Sequence, residues 1–302
     1  MASGRPSDNL TVRSRIEPIG ADALRVAAPA KINLNLLVGP RRADGYHPLD
    51  SLVAKVSLYD DLELRLRQDG QIRLTCRGLP CGPDEDNLAG RAGRLLAEGR
   101  GVCGADITLS KRIRPGRGLG GGSSDAAAVL LGLSRLWRLD ISAGDPSSLA
   151  AALGSDVPLF LGPPAMRMTG RGERLESVTM HPFIAVLCWP DFACGTAEVY
   201  RAFDRQPALP AEQIDLSLPA EPPSRWRGLL VNQLEPAAVL AAPQMAEFLA
   251  ALRERLAVPV CMTGSGSAAF CLCDDEAEAQ SVLARVPNRL RQGCTVVRMN
   301  TW

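Results

Sequence analysis

Lysine is almost missing from this chain: Lys31, Lys55 and Lys111 are the three lysines among 34 basic residues. Where arginine has taken nearly every basic position, a retained lysine marks a place where a compact ammonium is needed and a planar guanidinium will not serve. Lys31 and Lys111 are read in that way, and Lys55 as an incidental survivor. Histidine is as scarce, with only His47 and His181. An excess of one charge is also lacking. The 34 basic residues face 33 acidic ones, a net charge of +1, so there is no global electrostatic reason to expect a nucleic-acid or membrane partner. No apolar run reaches the ~18 residues of a membrane span. Residues 1–25 are polar and hold no apolar stretch of the secretory kind, so they are expected to be a disordered extension. The nine cysteines, an odd number, contain no Cys-x-x-Cys pair. Several, such as Cys188 and Cys271, lie in apolar stretches. Reduced buried thiols in a cytoplasmic protein are therefore expected, not disulfides or a zinc site.

What is present is a glycine run, Gly118-Leu119-Gly120-Gly121-Gly122-Ser123-Ser124, that opens directly into a helix-forming segment. Glycine tolerates positive φ and lets a ligand approach the backbone. The unpaired N–H groups and the dipole of a helix N-terminus favour an anion there. Together they describe a phosphate cradle, to which the two serine hydroxyls can add hydrogen bonds. The P-loop is excluded because no lysine precedes Ser123. The dinucleotide fingerprint is met only incidentally, with no acidic residue at a strand end about 20 positions later.

At 302 residues with 46% apolar content, the chain has material for two domains of ordinary size. Apolar and polar residues alternate from Ile32 to Leu36, which predicts a strand with Lys31, Asn33 and Asn35 on one face. Strands are also predicted over 50–66, 71–76, 105–113, 165–169, 183–188, 258–263 and 268–273. Helices are predicted over 87–99, 125–138, 147–153, 236–240, 245–256 and 276–285. Pro163-Pro164 reads as a boundary. The expected organisation is a mixed α/β chain of the α+β type, with an N-terminal domain over 26–164 and a C-terminal domain over 165–302.

Four segments are recognisable together. They are Pro29-Ala30-Lys31-Ile32-Asn33-Leu34 with Asp44-Gly45-Tyr46-His47, then Pro115 to Ala128, then Gly154-Ser155-Asp156-Val157-Pro158, and Thr263-Gly264-Ser265-Gly266-Ser267. In this order they resemble the GHMP small-molecule kinases, over about residues 28–297. The resemblance implies a two-domain fold with the active site in the interdomain cleft. Asp-Gly-Tyr-His and Gly-Ser-Asp-Val-Pro narrow it to the branch that works on a small cytidine diphosphate derivative of methylerythritol. The reaction implied is transfer of the γ-phosphoryl of ATP to the 2-hydroxyl of that alcohol, within the non-mevalonate route to isoprenoid precursors. Lys31 and Asp156 match the catalytic pair. Arg114, Pro115, Gly116, Arg117, Gly118, Leu119, Gly120, Gly121, Gly122, Ser123 and Ser124 match the ATP phosphate loop. Lys111 and Asn87 match positions near the adenine end. Tyr46 and His47 match a cytidine-binding pair and Tyr200 a second aromatic beside the cytosine, while Asn33 and Thr196 match positions around the methylerythritol. Mg²⁺ is expected to arrive with the nucleotide, with no protein ligand assigned. The chain departs from the family pattern at Arg117, where a small residue is common, at Pro40, where glycine is usual, and at Gln233, where aspartate is usual.

Overall fold

The computed structural model describes residues 15–139, 145–207 and 214–302. The first half is a curved sheet of seven strands. β1 (Ile16–Gly20) turns back into β2 (Ala23–Val38), and β3 (Leu49–Arg67) runs antiparallel along β2 from Ala23 to Val38. β3 is long enough to take two neighbours on its other side. Residues 61–67 pair with β5 (Gly104–Lys111), and residues 49–54 pair with β6 (Ala165–Gly170), which in turn pairs with β7 (Arg174–Ser177). β4 (Ile72–Gly78) lies parallel to β5, and α1 (Leu88–Ala97) supplies the crossover that parallel pairing requires. With α1, α2 (Gly121–Leu136) packs on one face of the sheet, and α3 (Asp145–Leu153) closes beside them.

The second half is a four-stranded antiparallel sheet in the order β11-β8-β10-β9, formed by β8 (Ile184–Cys188), β9 (Cys261–Met262), β10 (Ala269–Cys273) and β11 (Cys294–Arg298). α4 (Thr196–Phe203), α5 (Glu235–Ala241), α6 (Gln244–Arg255) and α7 (Glu276–Arg285) complete it.

β10 is apolar on both faces because both of its faces are covered. In β10, Ala269, Cys271 and Cys273 join the core under the C-terminal helices, while Phe270 and Leu272 join a core shared with the first sheet. That shared core also holds Ala30, Ile32 and Leu34 of β2 and Leu52, Ala54 and Val56 of β3. The period of two sends successive side chains to opposite faces, so one strand serves two cores. The two halves are thus joined sheet to sheet, and the cleft opens at the edge of this seam.

Three expectations are corrected. Residues 16–25 are not an extension: β1 and the start of β2 pair within the sheet, while residues 1–14 lie outside the described residues. The boundary does not fall at Pro163-Pro164, because β6 and β7 hydrogen-bond into the first sheet and the second begins at β8. Cys76 and Cys81 are joined as a disulfide across the loop that follows β4, with Cα atoms 6.9 Å apart. Seven other cysteines are free, and burial pushes the Cys261 thiol up to about 12.

Candidate active site

The glycine run does two things at once. Gly120 stands at the N-cap of α2 with φ +68°, and a Cβ there would meet the Phe160 ring at 2.8 Å and Lys31 Cγ at 3.0 Å. Gly118, at φ +72°, lies so close to the Thr263 carbonyl that a Cβ would overlap it. Glycine is needed at both positions for conformation and for space. The helix begins at Gly121, four residues before the predicted start. By helix geometry the first N–H groups, at Gly121, Gly122 and Ser123, have no intrahelical acceptor and open onto the cleft. The dipole adds partial positive charge there.

The cleft has a volume of about 340 Å³. The glycine loop from Arg114 to Ser123 lines it on one side, and Gly264 and Ser265 line it from the second half. Lys31, Asn33, Asp156, Thr196 and Tyr200 line it as well. β2 and a loop distant in sequence bring Lys31 Nζ to 3.6 Å from Asp156 Oδ2. Lys31 is 7% exposed at its side chain and Asp156 33%, so the ammonium is fixed and the carboxylate faces the opening. Lys31 Nζ also donates to Asn33 Oδ1 at 2.6 Å, and Asn33 Nδ2 donates to Ser51 Oγ. The backbone N–H of Asn33 donates to Thr263 Oγ1, which ties the two halves together at the site, and within the second half Thr196 Oγ1 lies 2.9 Å from Ser265 Oγ. Burial, and next the Asp156 carboxylate, push the Tyr200 phenol up to about 12, so it remains a neutral donor.

Other residues expected at the site sit elsewhere. Lys111 does not line the cleft. Its ammonium is buried, with bonds of 2.6 Å to both Asp60 and Asp125, beneath the start of α2. Burial opposes the charge of Lys111, but the two carboxylates outweigh it and hold the ammonium above its ordinary value. Burial pushes the Asp125 carboxyl upward, and the Lys111 ammonium opposes that shift. Asp60 also accepts from the backbone N–H groups of Arg112 and Ile113, so the trio braces the entry and exit of the glycine loop. Nothing in the sequence spacing of 60, 111 and 125 announces this cluster. Asn87 caps α1, accepting from Ala89 N, and donates to the Cys81 carbonyl. The buried Ser124 hydroxyl has no hydrogen-bond partner among the described residues.

Arg117 is buried and donates to the Asp191 carbonyl at 2.9 Å, which ties the loop to the second half. Gln233 accepts from Val38 N at 2.7 Å, and Asn232 donates to the Met262 and Gly264 carbonyls. His47 is buried, with Nδ1 2.9 Å from the Gly39 carbonyl and Nε2 3.0 Å from Asp204 Oδ1, and its ring lies 5.4 Å from that of Tyr200. Both of its ring nitrogens are therefore engaged within the protein. Tyr46 is 55% exposed, with the Arg171 guanidinium over its ring at 5.0 Å.

Family models match in both halves: "GHMP kinases N terminal domain" over residues 87–162 and "GHMP kinases C terminal" over residues 223–292. The chain is 40% identical to 4-diphosphocytidyl-2-C-methyl-D-erythritol kinase of Pelotomaculum thermopropionicum, covering 85% of this chain and 92% of that protein. It is 39% identical to the protein of the same name from Nitrosospira multiformis, covering 87% of each. A crystal structure of 4-(cytidine 5'-diphospho)-2C-methyl-D-erythritol kinase superposes with a TM-score of 0.74 at 38% identity, over 91% of this chain and 99% of that one. A homoserine kinase from Cytophaga hutchinsonii shares the fold at 18% identity, with a TM-score of 0.68 and coverage of 94% and 96%. On these similarities and its two matched domains, the chain belongs to the 4-diphosphocytidyl-2-C-methyl-D-erythritol kinases of the GHMP kinase family.

Proposed function

We propose that this chain transfers the γ-phosphoryl group of ATP to the 2-hydroxyl of 4-diphosphocytidyl-2-C-methyl-D-erythritol, giving the 2-phosphate and ADP. The observation that carries the reading is the Lys31–Asp156 pair at 3.6 Å, facing the N-terminus of α2 across one cleft. Phosphoryl transfer asks a protein mainly to position groups and stabilise charge. A hydroxyl placed beside Asp156 can pass its proton to the carboxylate as it attacks. The Lys31 ammonium, oriented by Asn33, stabilises the developing alkoxide. The free N–H groups of Gly121, Gly122 and Ser123 receive the phosphate oxygens. Mg²⁺ bound to the nucleotide neutralises phosphate charge. The unpartnered Ser124 hydroxyl at the first turn of α2 suits that neighbourhood, and no protein ligand is assigned to the ion.

We assign Arg114 to Ser124 to the ATP phosphates, with Asn87 and Lys111 acting behind the nucleotide site. Asn33 and Thr196 are assigned to the methylerythritol, and Tyr46, His47 and Tyr200 to the cytidine end. His47 reaches the base only by exchanging its Asp204 contact. The substrate is a small molecule. We assign the chain to the cytoplasm, without a nucleic-acid or membrane partner; its charge is balanced, and among the described residues no helix is long and apolar enough to cross a membrane. A coupled assay for ADP tests the reading. Turnover is expected with the cytidylylated alcohol and not with homoserine or mevalonate. The reverse preference would place the chain's activity elsewhere in the family.

A further inference from the structure

Lys55 is fully buried, at 1% exposure, and takes no part in the chemistry described above. It lies on β3 directly opposite Lys31 on β2. Among the described residues no carboxylate pairs with it. Its ammonium instead donates to the Gly162 carbonyl at 2.5 Å and reaches the Phe160 carbonyl at 3.5 Å. Those carbonyls close the one-turn 3₁₀ helix Pro158–Leu161, whose N-terminal flank carries Asp156. Arg15 donates to the same Phe160 carbonyl. The turn is continuous with Asp156 through the bonds Val157 N to Gly154 O and Phe160 N to Val157 O. The Phe160 ring also fills the space that a Cβ on Gly120 would need.

We infer that Lys55 is a positioning residue for the phosphoryl transfer. By clamping the carbonyl end of the 158–161 turn to the strand pair that carries Lys31, it fixes Asp156 against Lys31 and seats Phe160 under the phosphate loop. A cation is suited to the carbonyl end of a helical turn, where partial negative charge collects. Burial lowers the Lys55 ammonium to about 7, with Arg15 adding to the effect, which is consistent with a lysine held in place without a counter-carboxylate. The inference rests on the proposed catalytic role of Asp156.

The test is a double-mutant cycle by steady-state kinetics, with ATP and the cytidylylated alcohol varied separately. Lys55→Met is expected to lower kcat about tenfold or more, within the ~10²-fold that a 1 Å misplacement can cost, with both KM values held within about twofold. In the Asp156→Asn background the same substitution is expected to change kcat by less than about twofold, since the group being positioned has already lost its function. An equal loss in both backgrounds, a rise in KM that accounts for the loss, or no loss at all overturns the inference. If Lys55→Met fails to fold, Lys55→Gln, whose uncharged amide nitrogen carries two N–H groups but sits one bond short of the ammonium, is read in the same cycle against the same criteria. Failure of the parent reading has a different signature: an inactive wild-type chain, or a fully active Asp156→Asn, which removes both.

Discussion

At 3.6 Å the Lys31 ammonium and the Asp156 carboxylate interact electrostatically but are too far apart for a good hydrogen bond. An attacking hydroxyl can therefore contact both without first breaking a bond between them. Lys31→Arg is expected to lower kcat by more than tenfold, because the guanidinium fork cannot occupy the space between Asn33 and Gly120. Near-normal kcat in that variant would remove lysine's special role. Tyr200 lines the cleft beside Asp156 and contacts the His47 ring. Base–aromatic stacking is worth roughly 1–3 kcal/mol per base. Tyr200→Ala is thus expected to raise KM for the cytidylylated alcohol about 5- to 150-fold and leave KM for ATP nearly unchanged; a loss confined to ATP would move Tyr200 to the donor pocket. Lys55 gives a stability signature. Its charged neighbours are Arg15, which shares the Phe160 carbonyl, and Lys31 across the strand pair. Its folded value near 7 lies below the ordinary 10.5, so the unfolded chain binds more protons between those values. Wild-type stability should therefore gain on that of Lys55→Met, by an amount of order a few kcal/mol, as pH rises from 7 to 10. Thermal melts of both chains across that range would show it, and parallel curves would contradict it. Scarcity draws attention to the lysines, yet it ranks Lys55 lowest. Its partners are backbone carbonyls, which leave no mark on side-chain spacing. Lys111 was singled out for the nucleotide, but its partners Asp60 and Asp125 come together only when β3, β5 and α2 pack.

Helix α2 shows what an element adds to its residues. Its glycine-rich first turn could be read as a loop from composition, since glycine disfavours helix interiors. The helix nevertheless runs back to Gly121, and glycine stands there because Ile113 and Lys111 lie where a side chain would be, as the Phe160 ring does at the N-cap Gly120. Gly132, in the middle of the same helix, is governed by similar crowding. A Cβ there would overlap Leu64 Cδ1 and approach Val26 Cγ2 at 2.9 Å. In an exposed helix, Gly→Ala stabilises by about 1 kcal/mol. Here Gly132→Ala is expected to destabilise instead, by about 1–3 kcal/mol through overpacking against β2 and β3. A raised Tm would show that the sheet yields. Strands with clear alternation, such as the one around Ile32 to Leu36, were legible in the sequence, as was the length of α7. β1 was not, because its burial pattern is mostly exposed and its identity depends on pairing with β2. β6 was seen as a strand but assigned to the wrong sheet, since Pro163-Pro164 signals a break in the chain without saying where the next strand pairs.

Across the whole molecule, the core shared by Ile32, Leu52, Phe183 and Phe270 joins two sheets that sequence alone divides into two domains. Phe270→Ala is expected to cost about 3–5 kcal/mol. Because the seam belongs to both halves, unfolding should remain a single calorimetric transition; two separated transitions would mean that the halves are independent. The cleft depends on that seam. Lys31, Asp156 and the phosphate loop come from the first half, whereas Thr196, Gly264 and Ser265 come from the second. The measurement that bears most directly on the catalytic assignment is kcat of Asp156→Asn with ATP and the cytidylylated alcohol, made alongside ATP affinity by titration. General-base catalysis contributes about 10²–10⁴-fold, so kcat is expected to fall by that factor while ATP affinity stays within about twofold. A variant that keeps more than about a tenth of wild-type kcat would contradict the role assigned to Asp156 and the mechanism built on it.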